Sequence, residues 1–240
     1  MIEQVVVEDI AFRPDLAVLK KRLRVRDSGG SADRFERLVR EAAAIARPRA
    51  LYSVAYVEDR SDRCVVIGGV RFESRVVQVN LEKVQRAFPF LATCGMELQT
   101  WMDAQEDMLE RYYAGEIAET ALRQALGFLR QHLHERYRLG RTSTMSPGSL
   151  ADWPIHAQGT LFDLLGDTER TVGVRLTDSF LMIPTKSVSG IRFPTEHSFA
   201  SCQLCMRAGC PTRQAPYDRD LYDRRYAAAA MATERNTTRE

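Results

Sequence analysis

The sequence predicts an α/β (α+β) fold, an antiparallel sheet flanked by helices, and three stretches predict it. Residues 51–80, LYSVAYVEDRSDRCVVIGGVRFESRVVQVN, alternate well enough for two or three strands, with EDRSDR as a hairpin connection and Gly68-Gly69 as a kink or turn. Residues 112–137 contain no proline and place Ile117, Ala121, Leu122, Ala125, Leu129 and Leu133 on one side, which predicts a long amphipathic helix. Between them, FPFLATCGMELQTW reads as a buried strand running through Cys94 and Gly95 into a helix that continues from Glu97 to Arg111. Gly95 marks a close backbone approach.

The remaining elements follow in order. QVVVEDI is short and β-branched, a strand, and Asp15 then caps a helix that carries Leu16, Leu19 and Leu23 on one face. DSGGSAD is a loop, after which Phe35, Leu38, Val39, Ala42 and Ile45 recur at helical spacing until Pro48 stops the pattern. RLGRTSTMSPGSLADWP, residues 138–154, is rich in Ser, Thr, Gly and Pro and reads as a long loop, of the kind that often carries function. HAQGTLFDLLGD is a short helix stopped by Gly166, VGVRL is a strand, and in SFLMIPTKSVSGI a run of large apolar residues gives way to a crowded turn. The polar tail after residue 214 predicts a short helix followed by disorder.

Composition narrows the function classes. A chain of 240 residues with 45% hydrophobic content buries a real core. Its 34 basic and 32 acidic residues leave a net charge of +2, scattered rather than gathered, which argues against nucleic acid as a partner. The sequence has no apolar run long enough for a membrane span, and its N-terminus, MIEQVVVEDI, carries acids where a signal peptide carries basic residues, so a cytoplasmic protein is expected. Residues 1–195 read as the body, and 196–240 as a cysteine-cluster segment with a polar tail.

MSPGS and PTKSVSG each combine a proline that fixes φ, a glycine that permits close approach and small hydroxyl side chains. They make Ser146, Pro147, Gly148, Ser149, Lys186, Ser187, Ser189 and Gly190 candidate ligand contacts. Turns between strands use the same residues for purely structural reasons, so composition alone does not assign a ligand.

The order of motifs says more. SPGS, then DWP, Gln158, LFDLLG and VGVRLTDSFLMIPTKSVSGI resembles the reactivation (S-adenosylmethionine-binding) domain of cobalamin-dependent methionine synthase, and especially its free-standing relatives with a C-terminal cysteine cluster. The resemblance is strong from Ser146 to Ile191, weaker in FPFLATCGMELQTW and YYAGEIAETAL, and covers roughly half the chain. It implies a twisted antiparallel sheet flanked by helices, bound S-adenosylmethionine, and the return of oxidised cob(II)alamin to its methylated state. The chain has no DxHxxG cobalamin signature and no flavin motif. The resemblance therefore implies that cobalamin resides on a partner, a corrinoid protein or methyltransferase, and that the electron comes from a donor protein or through the cysteines.

Two departures stand out. The methionine synthase domain has Arg at the head of the first loop, where it helps hold the methionine part of the ligand, and an aromatic residue after Pro-Gly. Thr144 and Ser149 stand there in this chain. Arg141 or Lys186 is the candidate substitute, and Lys186 is the one expected to meet the ligand carboxylate. A ligand with an ammonium and a sulfonium calls for an acid, for which Glu119, one helical turn past Gly115, is chosen over its rival Glu116. The alternative function is a non-catalytic metal-binding adaptor that docks on a corrinoid protein without S-adenosylmethionine.

SCQLCMRAGCPTR places Cys202, Cys205 and Cys210 together, with His197 upstream. Thiolates at this spacing hold zinc or an iron-sulfur cluster, and spacing does not choose between them. The fourth position is open to His197, Cys94, a small ligand or another molecule. His132 and His134 lie two apart on the long helix and face different directions, which argues against a shared metal.

Overall fold

The computed structural model describes residues 3–26, 30–196, 199–210, 213 and 215–227. A single antiparallel sheet holds the chain together. It contains β1 (Glu3–Val7), β2 (Arg49–Ser61), β3 (Cys64–Ile67), β4 (Val70–Glu73), β5 (Arg86–Thr93), β6 (Thr142–Met145) and, as its last strand in sequence, Ser187–Pro194. Two short strands, β7 (Arg175–Leu176) and β8 (Met182–Ile183), pair with each other apart from it, so Ser187–Pro194 is β9. The order across the sheet is β4-β3-β2-β5-β9-β6, with β1 pairing the first half of β2.

Helices cover both faces. On one side α1 (Leu16–Leu23), α2 (Gly30–Ile45), α4 (Met96–Asp103) and α5 (Met108–Tyr137) close over Ala50, Tyr52, Phe88, Phe90 and Ala92. On the other, α3 (Arg75–Asn80), α6 (Ala157–Leu165) and α7 (Thr168–Val172) close over Leu51, Leu91, Ile191 and Phe193. The period-2 alternation of β2 and β5 feeds both cores, as a sheet buried on both faces requires.

Local chemistry explains most boundaries. Asp15 accepts a hydrogen bond from the Val18 amide at 3.0 Å and starts α1, and Asp107 accepts from Leu109 and Glu110, both at 2.9 Å, and starts α5. That second cap breaks the expected continuous helix from Glu97 to Arg111 into α4 and α5. Gly95 has φ +93°, and a Cβ there would lie 2.5 Å from the Arg47 carbonyl oxygen, so the predicted close approach is present.

Four more expectations change. DSGGSAD, expected as a loop, supplies the first turn of α2 from Gly30. RVVQVN, included in a strand-rich stretch on its β-branched residues, is the helix α3, because the Ser74 hydroxyl accepts from the Val77 amide at 3.1 Å and caps it. VGVRL contributes only Arg175 and Leu176 to a strand, since α7 ends at Val172. The long loop of residues 138–154 contains β6, which pairs Met145 with Ile191 and Thr144 with Arg192.

The C-terminal segment packs on the body. Phe199 and Tyr226 are buried in the second core, and the Tyr226 hydroxyl meets Asn80 Nδ2 at 3.0 Å. No helix among the described residues is long and apolar enough to cross a membrane. His197 and the tail from residue 228 lie outside the described residues.

Candidate functional site

PTKSVSG, expected as a turn, is largely strand: Ser187, Val188, Ser189 and Gly190 pair with Thr93, Ala92, Leu91 and Phe90 of β5. Strand geometry therefore sorts the candidate residues by face. Ser187 and Ser189 point into the second core, 8% and 2% exposed. Their hydroxyls are committed to protein partners. Ser187 Oγ donates to Thr93 Oγ1 or the Pro184 carbonyl, at 2.9 and 2.8 Å, and Ser189 Oγ donates to Gln158 Oε1 at 3.2 Å.

The opposite face of β9 carries Lys186, Val188, Gly190 and Arg192, and it lies beside α5. Helix α5 packs mainly over β5 and β2, so the flank of the sheet formed by β9 and β6 is less covered. Its residues show this: Lys186 just before β9, Val188 and Arg192 on it, Thr142 and Thr144 on β6 and Ser146 after it are half-buried, whereas Ser187, Ser189, Ile191, Phe193, Ser143 and Met145 are buried. This flank lies beside α5 and is partly open to solvent.

At one end Lys186 Nζ stands 3.6 Å from Glu119 Oε2, and Arg123 Nε donates to Glu119 Oε1 at 3.2 Å. The two residues chosen from sequence for opposite charges on a ligand are thus brought together and partly neutralise each other. Beneath them Cys94 is fully buried, and burial pushes its thiol up to about 12, so it remains protonated at neutral pH. Its backbone N–H donates to the Lys186 carbonyl at 3.0 Å. Cys94 belongs to the core under α5, whereas Leu204 of the cysteine segment packs on the core of the other face. Cys94 is therefore removed from the list of fourth metal ligands.

The SPGS turn follows β6 and packs beside Gly190, on the Lys186 side of Arg192. The Gly148 amide donates to the Trp153 carbonyl at 2.8 Å, and Gly148 adopts φ +77° against the Ile155 side chain. A Cβ on Gly190 would meet the Met145 carbonyl oxygen at 2.4 Å and Ser146 Oγ at 2.7 Å, so the glycine is what lets this turn sit on β9. Asp152 ties the turn to the second face, accepting from Ser74 Oγ at 2.6 Å and from the Val76 amide at 2.9 Å.

Sequence reasoning passed over Gln99, and it named Gln158 only as part of the motif order. Gln158 bridges Ser189 and the Phe180 carbonyl, to which its Nε2 donates at 2.9 Å. Gln99 Oε1 accepts from both the amide and the hydroxyl of Thr185. Gln158 thus holds β9 from the α6 side, and Gln99 of α4 holds the segment leading into β9 from the α5 side. Arg141, the other candidate substitute, donates to the Glu196 carbonyl at 3.2 Å and is exposed.

The cysteine segment is organised by an arginine. Arg213 donates to the carbonyls of Cys202, Cys205, Arg207 and Ala215, which draws the strand of backbone around one cation. Among the described residues no three His, Cys, Asp or Glu side chains gather closely enough to hold a metal ion.

Residues 129–201 match the family described as vitamin B12 dependent methionine synthase, activation domain. A solved structure described as "Crystal Structure of the MetH Reactivation Domain bound to AdoHcy" is similar over 84% of this chain and 81% of its own, with a TM-score of 0.58 and 16% sequence identity. No curated protein matches the chain. Residues 129–201 are thus similar to the methionine synthase activation domain, and the chain as a whole shares the mixed α/β fold of the reactivation domain.

Proposed function

We propose that the chain binds S-adenosylmethionine on the half-open flank of the sheet between α5 and β9, and supports the reductive methylation of cob(II)alamin carried by a corrinoid protein or methyltransferase. The observation that carries this reading is the family match across residues 129–201, which spans both the SPGS turn and Lys186–Gly190. The solved relative was crystallised with AdoHcy, the demethylated form of the same ligand. Glu119, Lys186, Ser146, Pro147, Gly148, Ser149 and Gly190 are the contacts assigned to this chain, with Ser187 and Ser189 supporting from the far side of the strand.

The residues present fit such a ligand. Gly190 lets the SPGS turn pack closely on β9, and Arg192 on the same face carries a charge that no acid among the described residues balances. Bound S-adenosylmethionine supplies a sulfonium methyl group. The task of the chain is to orient it, because transfer to a partner depends on alignment more than on any side-chain acid or base. The electron is assigned to a separate donor protein.

Zinc or an iron-sulfur cluster on Cys202, Cys205 and Cys210 is the less supported half of the proposal, since the described residues form no metal-binding group. No step is routed through it. Equilibrium dialysis of the purified chain against labelled S-adenosylmethionine tests the binding, with saturable one-to-one uptake expected. Absence of uptake by folded protein favours the adaptor reading. The same preparation, purified without oxygen and assayed for zinc and iron, settles the cysteines: neither metal, with all three thiols alkylated in the folded state, removes the centre.

A further inference from the structure

The half-open flank between α5 and β9 has two charged ends. At one, Lys186 and Glu119 join β9 to α5. At the other, Arg192 of β9 and Arg130 of α5 come near each other. The spans agree: from 119 to 130 a helix rises about 16 Å, and from 186 to 192 a strand extends about 20 Å. Between the ends the flank is lined by Leu126, Val188 and Gly190, apolar or small.

Arg192 is unusual among the charged groups. It is half-buried, and its one partner among the described residues is neutral, the Thr142 hydroxyl, which accepts from Nη1 at 2.9 Å. No carboxylate among the described residues pairs with it. Its charged neighbour is Arg130, of like sign; burial first, and that repulsion second, pull its pKa down to about 10. It therefore stays cationic at neutral pH in a place where a cation is disfavoured. A guanidinium carries five donors, and this one has most of them unused. Lys186 differs, since Glu119 already answers its charge.

Resting on the S-adenosylmethionine reading above, we propose that Arg192, with Arg130 beside it, receives the α-carboxylate of the ligand, which sets the ligand's direction along the flank. The amino-acid end lies by Arg192 and Arg130, and the nucleoside end lies towards Lys186, Glu119 and the SPGS turn, which leaves β6 at Met145 opposite Ile191 and runs away from Arg192. Glu119 then accepts hydrogen bonds from the ribose hydroxyls rather than pairing with the ligand's ammonium, which is bonded to the same carbon as the carboxylate and so stays at the Arg192 end.

Calorimetric titration of the parent and of Arg192→Met with S-adenosylmethionine and with its decarboxylated analogue tests this. The parent is expected to prefer the carboxylated ligand about tenfold to a hundredfold, as for a charge-assisted hydrogen bond, and Arg192→Met to bind the two equally. The apo variant is expected to melt no lower than the parent, because the cation it loses is unpaired. A preference retained in Arg192→Met, or absent from a parent that binds both ligands, overturns the assignment while the S-adenosylmethionine reading stands. A parent that binds neither overturns that reading, and this inference with it. Should Arg192→Met not fold, the exposed Arg130→Gln carries the test. It is expected to lower the preference several-fold, and full retention overturns the role.

Discussion

Strand β9 presents two faces that have been used differently. Towards α6, Ser187, Ser189, Ile191 and Phe193 are buried, and both hydroxyls are answered within the protein. Towards α5, Lys186, Val188 and Arg192 are half-exposed, and the charge of Arg192 is left unbalanced. Buried polar groups are normally satisfied, so the first face behaves as core and the second as a surface awaiting something. The comparison teaches that a motif of small polar residues is two sets of residues once its backbone is extended, and that only one set is free to meet a ligand.

Gly190 is the place where that division is expected to break. It lies on the ligand-facing side, yet a Cβ there would strike the Met145 carbonyl oxygen at 2.4 Å, a backbone atom that cannot swing away, and the Phe90 ring at 3.2 Å. Gly190→Val is expected to destabilise the fold by about 3 kcal/mol, the upper end for overpacking, which lowers Tm by roughly 6–12 °C in a chain of this size. Thermal unfolding followed by circular dichroism reads it. A variant that melts with the parent but fails to bind S-adenosylmethionine would make Gly190 a ligand contact alone.

The buried face yields the next effect. Ser189→Ala removes the donor to Gln158 Oε1, and Gln158 is 3% exposed, so an acceptor is left without its partner away from water. The expected loss is about 1–3 kcal/mol of stability, with affinity for S-adenosylmethionine unchanged. Urea unfolding and calorimetric titration, run on the same sample, separate the two. Weakened binding at undiminished stability would put Ser189 back among the ligand contacts.

Much of this was legible in the sequence, and the rest was hidden for physical reasons. Periodicity located α1, α2 and α5 because each presents one apolar stripe to the core, as with Phe35, Leu38, Val39 and Ala42, and β5 was legible as a continuous run buried on both faces. β6 was hidden because TSTM is short and mostly hydroxyl-bearing, and only its pairing with β9 reveals that Met145 faces inward. β9 was read as a turn because Ser and Gly dominate its first half. Lys186 and Glu119 were both chosen from sequence, yet their contact depends on how α5 lies over the sheet, which no local pattern encodes. Arg192 could not be singled out at all: between Ile191 and Phe193 it looks like an ordinary outward strand residue, and its lack of an acidic partner exists only in three dimensions.

Lys186 gives the smallest effect and the sharpest contrast with Arg192. Lys186 and Glu119, with side chains 30% and 24% exposed, stand 3.6 Å apart. Half-exposed pairs of this kind contribute at most about 1 kcal/mol, because water already stabilises both charges. Removing the lysine does not strand the acid either, since Arg123 Nε still donates to Glu119 at 3.2 Å. Lys186→Met is therefore expected to shift stability by less than about 1 kcal/mol and to change the affinity for S-adenosylmethionine by no more than about threefold, well short of the effect at Arg192. The measurement that matters is the same pair of ligands. If Lys186→Met abolishes the preference for the carboxylated ligand and Arg192→Met does not, then the lysine holds the carboxylate as its place after Pro184 suggested, the ligand runs the other way along the flank, and the unpaired guanidinium of Arg192 serves some other anion.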